Sequence, residues 1–296
     1  MKILVTGGAG YIGSNLIKRL VKDPKIEKIT SLDNYFTGQE ANHVPSHKIE
    51  YVRGNTLDIF KIFKTNNFDL IYHFGEYSRI AYSFEDIDIV HKSITTGTYS
   101  VLRFALLNNS KVIYSASSSK FGNNGKDENL SPYAFFKSKN VELIKNFHRW
   151  FNLKYEICYF FNVYGDNHIK NGKYATVIAI FERQYANNEP LTVVSPGTQT
   201  RDFTHVNDIC DGIIKVSEIN RNHEFHLRFG KNYPIIEVAQ QFSNNVEIIS
   251  ERKGERFISE DFNSDTEEIL GWKAKIELYQ YIKSFKTSAE KHTKDQ

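Results

Sequence analysis

Cysteine is nearly absent from this chain, with two residues in 296, Cys158 and Cys210. They stand far apart and form no C-x-x-C pair, so metal-ribbon and thiol-redox readings have no support. Two distant thiols fit a reducing compartment and ask for no disulfide. Neither charge is in excess. The 38 basic and 35 acidic residues leave a net +3, too balanced for a nucleic-acid or anionic-membrane partner. A local basic pocket for a phosphorylated ligand is compatible with that balance. Long apolar runs are missing too. None approaches the roughly 18 residues of a membrane span. The N-terminus enters a strand at once, without the charged and apolar regions of a secretory leader. No repeat of fixed period occurs. These absences predict a cytoplasmic protein with no metal, no membrane and no nucleic-acid partner. What is present, 40% hydrophobic and 25% charged residues, fits a folded chain of one large domain or two closely joined ones.

The most informative stretch is the first fifteen residues, MKILVTGGAGYIGSN. The apolar run Ile3-Leu4-Val5 is followed by Gly7, Gly8, Gly10 and Gly13. A helical pattern then carries Leu16, Ile17, Leu20 and Val21 on one face. Strand, glycine-rich turn and helix in this order have the form of a dinucleotide-binding fingerprint. One glycine permits the sharp turn, a second lets the backbone approach a pyrophosphate, and a third lets helix and strand pack closely. The helix N-terminus offers free N–H groups to the phosphates. Asp33 ends a second apolar run twenty residues after Gly13. A carboxylate there can accept both ribose hydroxyls of an adenosine and repels a 2′-phosphate. The candidate cofactor-binding residues are Gly7, Gly10, Tyr11, Ile12, Gly13, Asp33, Asn34, Asp58, Phe74 and Gly75. Asp58 has two open readings, an acceptor for an adenine amino group or a helix N-cap.

Further along, strands at 49–52, 69–75, 111–114 and 155–161 alternate with helical patterns at about 59–63, 84–108 and 133–150. That alternation predicts a parallel sheet with helices on both faces, and ligands bind beyond the carboxyl ends of such strands. From Val163 the pattern loosens. Helices are expected at 176–187 and 207–219 and a strand at 191–194, with no flexible linker. The boundaries read as 1–166 for a nucleotide-binding domain and 167–296 for a smaller lobe, part of 203–222 returning to the first. The polar tail 286–296 reads as frayed.

A chemical pattern follows the fifth strand. Ser115 to Ser119 contains four serines, and Tyr133 and Lys137 fall four apart on the next helix, on one face. A phenol loses its proton near pH 10, so one acting as a base at neutral pH needs about 4 kcal/mol of added stabilisation for its phenolate. A lysine cation beside it supplies part of that. A serine hydroxyl at the strand end can hold the same substrate oxygen.

Together these segments resemble the extended short-chain dehydrogenase/reductase family, the NAD-dependent sugar epimerases and dehydratases. The resemblance covers nearly the whole chain: TGGAGYIGSN (6–15), LDNYFTG (32–38), DLIYHFG (69–75), SASSSKFG (115–122), SPYAFFK (131–137), FFNVYG (160–165), QTRDFTHVNDI (199–209), ERKGE (251–255) and LGW (270–272). It implies a Rossmann-type doubly wound parallel sheet with a smaller α/β C-terminal substrate lobe, NAD as cofactor, and a nucleotide-diphosphate sugar, UDP- or dTDP-linked, as substrate. Counting back from Gly122, the catalytic hydroxyl falls on Ser117. Tyr133 corresponds to the acid/base and Lys137 to its partner, which also holds the nicotinamide ribose. Asn162, Arg201 and Arg252 correspond to groups on the sugar-linked diphosphate. Tyr174, Thr176 and Ser78 are further substrate-binding candidates. The implied reaction is hydride transfer at C4 of the sugar, and a homodimer through the helices at 84–108 and 133–150 is implied as well. Phe104 and Phe147 serve either that interface or the core.

Departures from the family pattern narrow the reaction. The 4,6-dehydratases carry an Asp-Glu pair where this chain has Ser118 and Ser119, so elimination lacks its proton donors and acceptors. Lys120-Phe121 replaces the usual Val-Tyr. Glu76-Tyr77 stands where small or neutral residues are usual. Glu76 is expected to pair with Arg79, with stabilisation of an oxidised nicotinamide as the other reading. A 4-epimerase that recycles bound NAD leads. A reductase of a dTDP-linked 4-keto-6-deoxy sugar and a non-catalytic NAD sensor are the alternatives.

Overall fold

The computed structural model describes residues 1–64, 67–121, 127–257 and 264–294. Gly122 and the loop to 126 lie outside the described residues. The chain opens with β1 (Lys2–Thr6), α1 (Tyr11–Leu20), β2 (Lys28–Asp33), β3 (Ile49–Arg53), α2 (Ile59–Ile62) and β4 (Leu70–His73). It continues through α3 (Ile87–Val90), α4 (Gly97–Asn108), β5 (Lys111–Ser117), α5 (Pro132–Phe151) and β6 (Tyr155–Phe160). Next come β7 (Val163–Tyr164), α6 (Val177–Ala186), β8 (Leu191–Val194), β9 (Thr200–Asp202), β10 (Thr204–His205), α7 (Val206–Glu218) and β11 (Glu224–Leu227). The last elements are β12 (Asn232–Pro234), α8 (Ile235–Phe242), β13 (Val246–Ile249), α9 (Thr266–Leu270) and α10 (Leu278–Lys294).

Seven strands form one sheet in the order β11-β6-β5-β4-β1-β2-β3. All its pairings are parallel, with Val5 of β1 opposite Ser31 of β2 on one side and Tyr72 of β4 on the other. The chain reverses direction across the sheet at β1, the topological switch point where such sheets bind ligands. Ile3, Leu4 and Val5 have no exposed surface because β1 is covered on both faces. Residues of α1 and α7 pack on one face, and residues of α2, α4 and α5 on the other. A separate core joins α6, α8 and α10 to β8 and β12.

Local signals set the elements that matter for the site. Ser131 caps α5, its Oγ accepting from the Ala134 N–H at 3.1 Å, with Pro132 in the first turn. Asn152 closes the helix at φ 58°. Tyr133 and Lys137 thereby fall in the first two turns, over the end of β5.

Two expectations need correction. The helix read over 84–108 is interrupted: a π-wound turn, His91–Thr96, separates α3 from α4. Residues 286–294 of the tail read as frayed belong to α10, because the stripe containing Leu278 and Ile282 packs into the second core and carries the helix onward; 295 and 296 lie outside the described residues. Beyond 222, β11 lies in the large sheet as the edge strand beside β6. Phe104 and Phe147 are 2% and 3% exposed and belong to the core. Among the described residues no helix is long and apolar enough to cross a membrane.

Candidate functional site

A cavity of about 680 Å³ opens at the carboxyl ends of β1, β2, β4 and β5 and runs to the second lobe. The glycine-rich turn forms its floor at one end. Gly7 has φ +74°, and a Cβ there would meet the Phe74–Gly75 backbone at 2.8–2.9 Å. Gly13 is tighter, its imagined Cβ falling 2.2 Å from the Gly7 carbonyl oxygen. No side chain caps α1 at Gly10, and Tyr11, Ile12 and Gly13 line the cavity. The first-turn N–H groups are therefore left to an anion.

Asp33 ends β2, 7% exposed. Its Oδ2 accepts from the Ala9 N–H at 3.0 Å and its Oδ1 from the Tyr35 N–H at 2.8 Å. Burial raises its carboxyl above the usual range, while backbone N–H groups of Tyr35, Ala9 and Gly10 act the other way. Each oxygen retains acceptor capacity for a ribose hydroxyl. A pyrophosphate-sized cradle without Cβ atoms, beside a carboxylate with free lone pairs, fits an adenosine dinucleotide lacking a 2′-phosphate. Asp33→Asn keeps one acceptor and removes the charge. Discrimination between NADH and NADPH, read by fluorescence titration, is expected to fall at least about tenfold. Unchanged discrimination would show that the charge does not select the cofactor.

Asn34, Phe74 and Gly75 also line the cavity. Asp58 does not: its carboxylate accepts from Lys61 at 2.8 Å on the surface, and it makes no capping bond. Asp58 stands at the N-cap position of α2 without a side-chain capping bond. Gly54, Asn55, Thr56 and Leu57 occupy that wall instead.

At the centre of the cavity Ser117, Tyr133 and Lys137 share one wall. Ser117 Oγ accepts from the Ser119 N–H at 3.2 Å. This leaves its hydroxyl proton available. The Tyr133 hydroxyl makes no hydrogen bond to any described residue, and its ring is 9% exposed. Lys137 Nζ donates to the Ser115 carbonyl at 2.5 Å and to the Glu76 carboxylate.

Glu76 therefore does not pair with Arg79. Its side chain is 1% exposed. Its Oε1 accepts from Thr98 Oγ1 at 2.5 Å, Asn140 Nδ2 at 3.1 Å and the Tyr114 hydroxyl at 3.2 Å. Arg79 donates from Nε to the Tyr174 carbonyl at 2.7 Å and from Nη1 to the Ser78 carbonyl at 3.0 Å. The physical reason is burial. A carboxylate inside the sheet end requires a buried countercharge and several donors, and Lys137 with its neighbours supplies both.

Toward the second lobe, Ser78, Asn162, Thr176, Arg201 and Arg252 line the cavity. Asn162 Nδ2 donates to the Asp202 carbonyl at 2.8 Å. Arg201 pairs with Glu255 and donates to the Thr200 carbonyl at 2.7 Å. Thr176 Oγ1 is buried with no hydrogen-bond partner among the described residues. Tyr174 is not a lining residue: its hydroxyl donates to Asp86 at 3.0 Å and its carbonyl accepts from Arg79. Sequence reasoning did not find Arg256. It is 6% exposed and lines the cavity. It donates to the Ser118 and Phe121 carbonyls at 2.6 and 2.7 Å, tying the second lobe to the serine turn. Burial and the nearby Arg201 cation push its guanidinium down to about 10. Asn140 was also missed, although it continues the Tyr133/Lys137 face of α5 by one further turn.

A seven-stranded parallel sheet, a switch-point cavity and an uncapped glycine-rich turn beside Asp33 define a dinucleotide-binding protein of the doubly wound class. Residues 3–227 match the sequence profile of the NAD dependent epimerase/dehydratase family. The chain belongs to that family, and NAD is its cofactor. It is 28% identical to UDP-glucuronic acid decarboxylase 3 of Arabidopsis thaliana, over 94% of this chain and 86% of that protein. Its fold is similar to that of UDP-glucose 4-epimerase from Thermotoga maritima, with a TM-score of 0.88, 23% identity and coverage of 100% and 99% of the two chains. It is also similar to UDP-N-acetylglucosamine 4-epimerase from Methanobrevibacter ruminantium M1, with a TM-score of 0.85, 24% identity and coverage of 100% and 99%.

Proposed function

We propose that this protein is a 4-epimerase of a UDP-sugar, with Ser117, Tyr133 and Lys137 as its reacting set. The observation that carries the reading is that these three residues line one cavity together with the glycine-rich turn and the arginines of the second lobe. When bound, NAD supplies the hydride acceptor and donor. Gly7 to Gly13 and Asp33 hold its adenosine and pyrophosphate end, and Lys137 its nicotinamide ribose. Tyr133 takes the proton of the sugar C4 hydroxyl, and Ser117 holds that oxygen. Arg201 and Arg252 grip the diphosphate, and Asn162 and Ser78 orient the sugar. Epimerisation then requires the 4-keto sugar to present its other face before Tyr133 returns the proton.

The carboxylates support this reading over elimination. Among the described lining residues they are Asp33, Glu76 and Glu255. Asp33 is held by the turn, Glu76 by Lys137, and Glu255 by Arg201. None is free to move protons at C5 and C6, and Ser118 and Ser119 supply no acid. A homodimer built on α4 and α5 accords with the exposed Leu107, Trp150 and Phe151 on those helices.

A panel of UDP- and dTDP-sugars, including UDP-glucuronic acid, tests the proposal, with products identified by NMR. A C4 epimer is expected from a UDP-sugar with no cofactor added to protein purified with bound NAD. Stoichiometric NADH consumption with a 4-keto sugar would make it a reductase instead, and release of carbon dioxide a decarboxylase.

A further inference from the structure

We propose that Glu76 positions Lys137 and, by cancelling its charge, biases the bound cofactor toward the oxidised form. The two side chains come from elements 61 residues apart, the end of β4 and the second turn of α5. Both line the cavity where the glycine-rich turn meets the Ser117–Tyr133 wall.

The hydrogen bonds define the charge on Glu76. Thr98, Tyr114, Asn140 and Lys137 all donate to it. A carboxyl group that only accepts is ionised. The donors are themselves ordered by a one-directional chain. The Phe74 and Gly75 N–H groups donate to Thr6 Oγ1 at 3.1 and 3.0 Å. Thr6 is thus left to donate to His73 Nδ1 at 2.7 Å, His73 Nε2 donates to Thr98 Oγ1 at 2.9 Å, and Thr98 donates to Glu76. His73 is neutral in this chain, since burial pushes its imidazole down to about 4. Lys137 is therefore the countercharge of Glu76. Arg79, another cation lining the cavity, is held by the Tyr174 and Ser78 carbonyls.

Without Glu76, Lys137 would present an uncompensated cation to the cavity. With it, the pair is a dipole of zero net charge. NAD⁺ and NADH differ by one positive charge on the nicotinamide, and uncompensated positive charge nearby penalises the oxidised form. An enzyme that recycles its cofactor must meet each new substrate in that form. Glu76 weights the resting state accordingly. The proposal rests on Lys137 facing the nicotinamide end, as in the proposed reacting set, but its test needs no sugar and no turnover.

The test is the ratio of Kd for NAD⁺ to Kd for NADH, measured by calorimetry on protein stripped of cofactor. Glu76→Gln keeps the size and some acceptor capacity and removes the charge; the ratio is expected to rise about tenfold. Lys137→Met removes the opposite charge, and the ratio is expected to fall by a similar factor. A purely structural role would move both dissociation constants together and leave the ratio alone. A ratio within twofold of the original in a folded variant of either kind overturns the proposal. Should the Gln variant not fold, Lys137→Met carries the test. Failure of the sugar panel with the ratios shifting as expected would sink the epimerase reading and leave this inference standing.

Discussion

A Tyr133→Phe enzyme is expected to bind NAD and the nucleotide sugar as before and to turn over at least about 10³-fold more slowly, the range that loss of a positioned acid/base produces. The substitution removes one oxygen and leaves the ring, whose packing against Tyr77, Val90 and Ile94 belongs to a small core beside the cavity. The protein loses no hydrogen bond to a described residue, because the hydroxyl makes none. Stability should therefore hold while kcat collapses and KM stays within a fewfold. Comparing kcat and thermal unfolding of the two proteins checks this. Activity within tenfold of the original would remove Tyr133 from its role and require another proton acceptor on that wall. Ser117 is the nearest alternative in kind, but a serine hydroxyl is a much weaker acid.

Gly13→Ala carries the second large effect, on cofactor binding. The added methyl would lie 2.2 Å from the Gly7 carbonyl oxygen and 2.9 Å from Gly7 C and Gly8 Cα. These are backbone atoms of the turn itself, so relief requires α1 to move away from β1. Displacing α1 moves the first-turn N–H groups off the pyrophosphate, and NAD affinity is expected to fall at least about 100-fold with a stability loss of about 1–3 kcal/mol from overpacking. Gly10→Ala is the internal comparison. Its nearest contact would be Gly7 O at 3.1 Å, which small adjustments relieve, so a much smaller loss is expected. Calorimetry and thermal unfolding of both variants decide the matter. Equal NAD affinities in the two would show that the close approach at Gly13 is not what shapes the cradle.

The cofactor end of the site was legible because its determinants are local. Glycine spacing, the apolar run before it and the periodic helix after it are all read within twenty residues, and Asp33 is fixed by the length of the second strand. Most candidate residues of the second lobe were legible only through motif resemblance. Tyr174, reached through that resemblance, and Asp58, reached from its place after a strand end, do not line the cavity. Both lie near the cavity in sequence terms, yet Asp58 accepts from Lys61 and Tyr174 donates to Asp86. A side chain at a strand or helix end can turn toward the ligand or away, and its nearest donor or acceptor decides.

The sequence by itself determined the parallel sheet, the dinucleotide turn, and the placing of Tyr133 and Lys137 on one face of a capped helix. These follow from backbone sterics, from short continuous apolar runs in the buried strands and from apolar spacing of period 3.6 in the helices. Only the tertiary structure decided the partners of Glu76. The expected partner, Arg79, lies three residues away but donates to the Tyr174 and Ser78 carbonyls. The actual one, Lys137, lies 61 residues away in the second turn of α5. Sheet order brings β4 beside β5, α5 packs against β5 and β6, and in that buried setting the carboxylate takes the cation and donors that replace its lost water.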